Sequence, residues 1–247
     1  MDSEQNTTLY EPAIHFQNVS FEVEGTKILD TITGSFPTNE ITVLVGPSGA
    51  GKTTLLKMCN GLLSPTSGDI TVQGRTIHEM SPVDLRRKVG MVLQSSPMIA
   101  GSVYDNLALP LRLQGKTLSK EKALDILDQV GLEGEYLERD SRTLSGGQQQ
   151  KVSIARTLLN QSKVLLMDEI TSALDPSSLN EVEDLIRKLH DEHAITVIWI
   201  THNLEQAKRM GQYAWIMVDG KLVDAGEISV LDHSDIPSVD RFLKGDF

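Results

Sequence analysis

The stretch Gly46-Pro47-Ser48-Gly49-Ala50-Gly51-Lys52-Thr53 constrains this chain more than any other. It follows the β-branched run Ile41-Thr42-Val43-Leu44-Val45, which suits a buried parallel strand. It opens a helix expected from Lys52 to about Asn60, stopped by Gly61. A strand, a glycine-rich turn and a helix in direct succession point to an α/β fold with a mainly parallel sheet. The stretch matches G-x-x-x-x-G-K-[ST] in full. Its glycines let consecutive backbone N–H groups turn inward around a polyphosphate, and the helix N-terminus adds its positive end. Lys52 is a mobile cation for the β and γ phosphates and Thr53 a hydroxyl for Mg²⁺, with Thr54 beside them in the first turn.

Two further motifs extend this chemistry. Val164-Leu165-Leu166-Met167-Asp168-Glu169 sets adjacent carboxylates at the end of an apolar strand, where open α/β sheets place their ligands. Asp168 suits Mg²⁺, and Glu169 suits orienting or deprotonating a water. Leu144-Ser145-Gly146-Gly147-Gln148 offers a second anion-binding helix start. One nucleotide does not need two γ-phosphate cradles from the same chain, so the second one makes sense in the site of a neighbouring molecule.

The rest of the chain alternates strand and helix signals. Residues 1–12 read as a disordered lead-in. From Ile14 the pattern is strand-like, with turn chemistry near Gly25 and Gly34. Val103 to Val130 carries helical spacing at Leu124, Leu127 and Val130, with Ser119 as an N-cap. A helix is expected from about Ser178 to His190, burying Val182, Leu185, Ile186 and Leu189. Ile195 to Ile200 reads as a strand, and a last strand pair flanks the turn Asp219-Gly220.

Composition narrows the function classes. A net charge of −11 opposes nucleic-acid binding, which needs a basic face. The single cysteine, Cys59, permits no internal disulfide and suits a reducing cytoplasm. No stretch approaches the ~18 uninterrupted apolar residues of a membrane span, so no direct insertion is expected.

Taken together and in this order, the motifs resemble the ATP-binding subunit of ABC transporters, over roughly Phe16 to Gly226. The resemblance implies a P-loop NTPase (RecA-like) core with an N-terminal antiparallel β subdomain and a helical signature subdomain. It implies one domain over 13–247, with core segments 13–93 and 163–247 and helical residues about 94–162. Its cofactors are ATP and Mg²⁺. Gln94 resembles the glutamine that senses Mg²⁺, Asp175 lies in the loop that touches the opposite subunit, and His202 resembles the switch histidine at the γ-phosphate. Ser145, Gly146, Gly147 and Gln148 match the signature. Three positions depart from the family: Val23 stands where an aromatic residue often stacks on adenine, Ile170 where proline is common, and Lys151 where arginine is common. Thr201 to Ala207 resembles phosphate-import ATPases, and Asp168 to Asp175 a group linked to metal export, proposed for iron.

The resemblance implies a head-to-tail homodimer in the ATP-bound state, beneath an integral membrane permease on the cytoplasmic face. A soluble ABC ATPase acting on DNA or the ribosome is the alternative. Only about 90 residues separate Thr53 from Leu144, with no heptad insertion, and each motif occurs once. A catalytically silent regulator is opposed by Glu169 and His202.

Overall fold

The computed structural model describes residues 12–232 and residue 239. The lead-in expected over 1–12 lies outside these residues except for Pro12, which opens the first strand. In chain order the elements are β1 (Pro12–Val23), β2 (Thr26–Pro37), β3 (Ile41–Val45), α1 (Lys52–Cys59), β4 (Ser67–Val72), β5 (Arg75–Thr76), α2 (Pro82–Lys88), β6 (Val89–Leu93), α3 (Val103–Arg112), α4 (Lys120–Gln129), α5 (Gly146–Leu159), β7 (Val164–Asp168), α6 (Pro176–His193), β8 (Thr196–Ile200), α7 (Leu204–Met210), β9 (Tyr213–Val218) and β10 (Lys221–Glu227).

The strands form two sheets. β2-β1-β4-β5 is antiparallel throughout. β10-β9-β3-β8-β7-β6 is parallel except for its edge hairpin β9–β10. The hairpin turns β1–β2, β4–β5 and β9–β10 each place two residues at positive φ, Glu24 and Gly25 (49° and 80°), Gln73 and Gly74 (49° and 72°), and Asp219 and Gly220 (48° and 75°), which matches the right-handed twist of the flanking strands. The strands β3 and β8 are buried throughout because cores cover both faces of the sheet, so apart from Thr42 and Thr196 their side chains are apolar on both faces.

Gly34 is not a turn residue. It lies inside β2, where an added Cβ would come within 2.8 Å of the Trp215 ring. Trp215 needs that space because it stacks on Phe36 with ring centroids 4.1 Å apart and meets Phe16 edge-on at 5.9 Å. This aromatic cluster joins the antiparallel sheet to β9. With Leu55, Leu56 and Ile198 it belongs to the core on one face of the parallel sheet.

The opposite face carries α3, α4, α5 and α6. The span Val103 to Val130 forms two helices, α3 and α4, and Ser119 caps α4 as expected by accepting the Lys122 N–H. Ala123, Ile126 and Leu127 form the buried stripe of α4, whereas Leu124 is 38% exposed. The helical face is therefore centred one residue away from the expected spacing. Leu107, Leu127 and Val152 pack in one continuous core with Leu165, Met167 and Trp199 of the sheet. α6 begins two residues earlier than expected because Asp175 caps it, and it buries Val182, Leu185, Ile186 and Leu189. Among the described residues no helix is long and apolar enough to cross a membrane.

Candidate functional site: a phosphate loop facing a glutamate–histidine pair

β3 delivers the chain to the glycine-rich loop, and α1 carries it away. The N-cap of α1 is Gly51, whose lack of a side chain leaves the first N–H groups of the helix uncapped and available to an anion. Gly46, at φ 144°, lies so close to β9 that a Cβ would stand 2.0 Å from the Met217 carbonyl oxygen. Pro47 follows it, and their carbonyls each accept a 2.8 Å hydrogen bond from Lys52 Nζ. Burial pushes the Lys52 ammonium below the ordinary lysine range, opposed by the negative charges of Glu169 and Asp168. A phosphate oxygen would give this desolvated cation a charged acceptor in place of two neutral ones.

A cavity of about 400 Å³ opens above the loop, lined by Ile28, Ser48, Gly49, Ala50, Gly51, Lys52, Thr53, Thr54, Glu169 and His202. The parallel pairing of β7 with β8 brings the far side of the site together, since Asp168 aligns with Ile200. Asp168 accepts a 3.0 Å hydrogen bond from the Thr53 hydroxyl. Burial raises its carboxyl above the usual range, against the lowering effect of that hydrogen bond, while the neighbouring Glu169 charge raises it further. A hydroxyl and a desolvated carboxylate are the hard oxygen donors that Mg²⁺ takes alongside nucleotide phosphates, so the pair fits that ion.

Glu169 adopts φ 51°, a left-handed conformation that costs a non-glycine residue on the order of 1–3 kcal/mol. Its N–H donates to the Ile200 carbonyl at 3.2 Å, which anchors the turn to β8. The strained turn aims the carboxylate at His202, whose Nε2 lies 2.5 Å from Glu169 Oε1. Gln94, just past β6, donates to Ser172 Oγ at 2.9 Å, and that hydroxyl donates to the Glu169 carbonyl. Gln94 therefore reaches the turn that carries Glu169 through Ser172 and does not line the cavity.

The signature residues stand apart from this cavity. Ser145 caps α5: its Oγ accepts the Gln148 N–H, and Gln148 Oε1 accepts the Ser145 N–H at 2.9 Å. Gly147 packs so tightly on α6 that a Cβ would meet Ser178 at 2.8 Å. Ser145 and Gly146 are exposed. Asp175, also exposed, spends its carboxylate on the Ser177 and Ser178 N–H groups, and the Ser178 hydroxyl holds it below the usual carboxylate range.

Val23 does not line the cavity. It ends β1 at 47% exposure, and Ile28, one hairpin turn further on, supplies the apolar wall. Ile28 was legible only as one apolar position of a strand, because its role depends on where the β1–β2 hairpin sits against the loop. Neither residue offers a π-face, and aromatic contacts are worth about 1 kcal/mol beyond burial. ATP and GTP are therefore expected to bind with affinities within about tenfold of each other. Competition of GTP with labelled ATP checks this, and a preference of several decades would mean that another residue reads the base.

Comparison with known proteins agrees with this geometry. The ABC transporter family model matches residues 29–172. The putative ABC transporter ATP-binding protein YjkB of Bacillus subtilis is 44% identical over 243 residues, 95% of each chain. The methionine import ATP-binding protein MetN of Staphylococcus haemolyticus is 38% identical over 225 residues, 88% of this chain and 66% of its own length. Among solved structures, the ATP-binding cassette MJ0796, a dimer in a post-hydrolysis state bound to ADP and Pi, superposes with a TM-score of 0.77. It is 28% identical over 87% of this chain and 98% of its own. With an uncapped phosphate loop, a hydroxyl–carboxylate pair suited to Mg²⁺ and a glutamate–histidine pair across one cavity, the chain belongs to the ABC transporter family as an ATP-binding, ATP-hydrolysing subunit that uses ATP with Mg²⁺.

Proposed function

We propose that the chain is the motor of a membrane transporter, working as a head-to-tail homodimer on the cytoplasmic face of an integral membrane permease. The observation that carries this is the exposed signature turn Ser145-Gly146, set outside the cavity formed by the same chain's phosphate loop. A second copy facing that cavity would present Ser145 to the γ-phosphate, and each nucleotide would then bridge two chains. The dimeric MJ0796 cassette supports this arrangement.

In this reading the N–H groups of the loop from Gly46 to Thr54, Pro47 having none, hold the phosphates together with Lys52. Thr53 and Asp168 would hold Mg²⁺, and Gln94 would have to turn from Ser172 to join them. The ion, when bound, neutralises charge developing on the β and γ phosphates. Glu169 orients or deprotonates the attacking water, and His202 holds the Glu169 carboxylate and reaches toward the γ-phosphate. Asp175 and the signature residues Gly147 and Gln148 shape the surface that meets the second copy, and Ile28 rather than Val23 stands at the base end of the site. Residues 13–93 and 163–247 serve as the core and about 94–162 as the helical part that moves against it.

The methionine import relatives favour import of a solute. The expected likeness to iron export or phosphate import has no counterpart in the names of the relatives described above.

The loop after Gln94 is the surface through which the motor acts. Pro97 and Ile99 are exposed and Met98 is half-buried against the helical core, while Arg156 of α5 donates to the Pro97 carbonyl at 3.0 Å. The loop is thus tied to the helices that move. Ile99→Asp or Pro97→Asp is expected to abolish co-purification with the membrane protein of the transporter while leaving ATP hydrolysis by the free chain within about twofold, as for surface changes away from buried features. A variant that assembles and transports normally would move the docking surface elsewhere.

A further inference from the structure

Behind the Glu169–His202 pair, away from the phosphate loop, lies a second cavity of about 260 Å³, which Thr171, Thr201 and Gln206 also line. An open cleft rather than close-packed side chains backs the pair on this side, so hydrogen bonds contribute to holding its geometry. One buried carboxamide supplies them. Gln206, 2% exposed, accepts the Thr201 hydroxyl on Oε1 at 2.6 Å. Its Nε2 donates to Thr171 Oγ1 at 3.0 Å and to Glu183 Oε1 at 2.8 Å. Thr201 immediately precedes His202, and Thr171 is two residues past Glu169. A single side chain therefore spans the two segments that carry the pair.

Its anchor is rigid. Glu183, 3% exposed on α6, is gripped by Arg209 through Nη2 at 2.7 Å and Nε at 2.9 Å. The Gln206 N–H donates to Asn203 Oδ1, and the Asn203 N–H to Thr201 Oγ1, so the cap of α7 closes on the same hydroxyl. Only a carboxamide offers one acceptor and two donors from this position. Glutamate would set a second carboxylate against the buried Glu183, and leucine would leave Thr201, Thr171 and Glu183 short of a partner.

We propose that Gln206 is a positioning residue for ATP hydrolysis, which sets the spacing of Glu169 and His202 from an anchor on Glu183 and Arg209. The proposal rests on the reading of Glu169 and His202 as the hydrolytic pair. Gln206 does not line the nucleotide cavity, so its loss acts on turnover and not on binding.

The test compares the full-length chain with Q206L, T201V, E183Q, Q206E and the exchange E183Q/Q206E, with E169Q as reference. For each, kcat with Mg-ATP is measured beside the Kd of a non-hydrolysable ATP analogue and the melting temperature. Q206L and T201V are expected to lower kcat by about tenfold or more with Kd within about threefold, the signature of an interaction that matters only in the transition state. E183Q/Q206E restores a donor facing an acceptor between the two side chains and should recover kcat relative to Q206E alone. A T201V or Q206L enzyme with wild-type kcat, or one whose Kd rises as much as kcat falls, overturns the proposal. If Q206L does not fold, the near-isosteric T201V decides by the same criteria. If E169Q itself hydrolyses at the wild-type rate, the reading of the pair fails. If E169Q is inactive and T201V is not impaired, only the role of Gln206 fails.

Discussion

Replacing Glu169 by glutamine is expected to slow ATP hydrolysis by about 10²–10⁴-fold, the span of general-base catalysis, while ATP stays bound. The substitution keeps the shape of the side chain and removes the charge that orients or deprotonates water. Lys52, Thr53 and the uncapped N–H groups of α1 are untouched, so the phosphates keep their ligands. A bound, uncleaved nucleotide would hold two chains together through the exposed Ser145-Gly146 turns. The variant should therefore shift from monomer to dimer in sizing chromatography when Mg-ATP is added. Ser145→Arg in the same background should abolish the shift, because a long cation would fill the cradle offered to the second copy. Hydrolysis near the wild-type rate in the glutamine variant would remove Glu169 from its role. A monomer that persists with ATP demonstrably bound would count against a shared site for the isolated chain.

Gly46→Ala is expected to destabilise the fold by on the order of 3 kcal/mol or more, because nothing between β3 and β9 can give way. The added Cβ would stand 2.0 Å from the Met217 carbonyl oxygen and 3.0 Å from its carbon, both backbone atoms of a paired strand. The melting temperature should fall by roughly 6–12 °C for a domain of this size. Nucleotide binding should weaken as well, because Gly46 supplies one of the two carbonyls that hold Lys52. Gly49→Ala separates clash from backbone strain. Gly49 also has positive φ, 81°, but its Cβ would meet nothing within 4 Å, so only about 1–2 kcal/mol of left-handed strain is expected. Equal losses of melting temperature in the two variants would mean that the close approach to Met217 is not what demands glycine at position 46.

The sequence by itself determined the parts of this protein whose signals are local. A phosphate loop is legible because strand, glycines, lysine and helix start occupy consecutive positions, and backbone N–H groups converge wherever that order occurs. Carboxylates at the end of an apolar strand, and a hairpin at Asp219-Gly220, are legible for the same reason: each is a short-range pattern with one favourable backbone solution. Only the tertiary structure decided which distant residues meet. Gly34 reads as a turn until Trp215, from another sheet, is found against it. Ile28 rather than Val23 walls the nucleotide cavity because of how the β1–β2 hairpin rests on the loop. Glu169 meets His202 across 33 positions because β7 and β8 pair in parallel register, and Gln206 joins their segments because α7 folds back over α6. Periodicity and turn chemistry specify what each segment is, but long-range pairing sets which side chains share a site. That pairing follows from burying both faces of the sheet at once, which no single segment encodes.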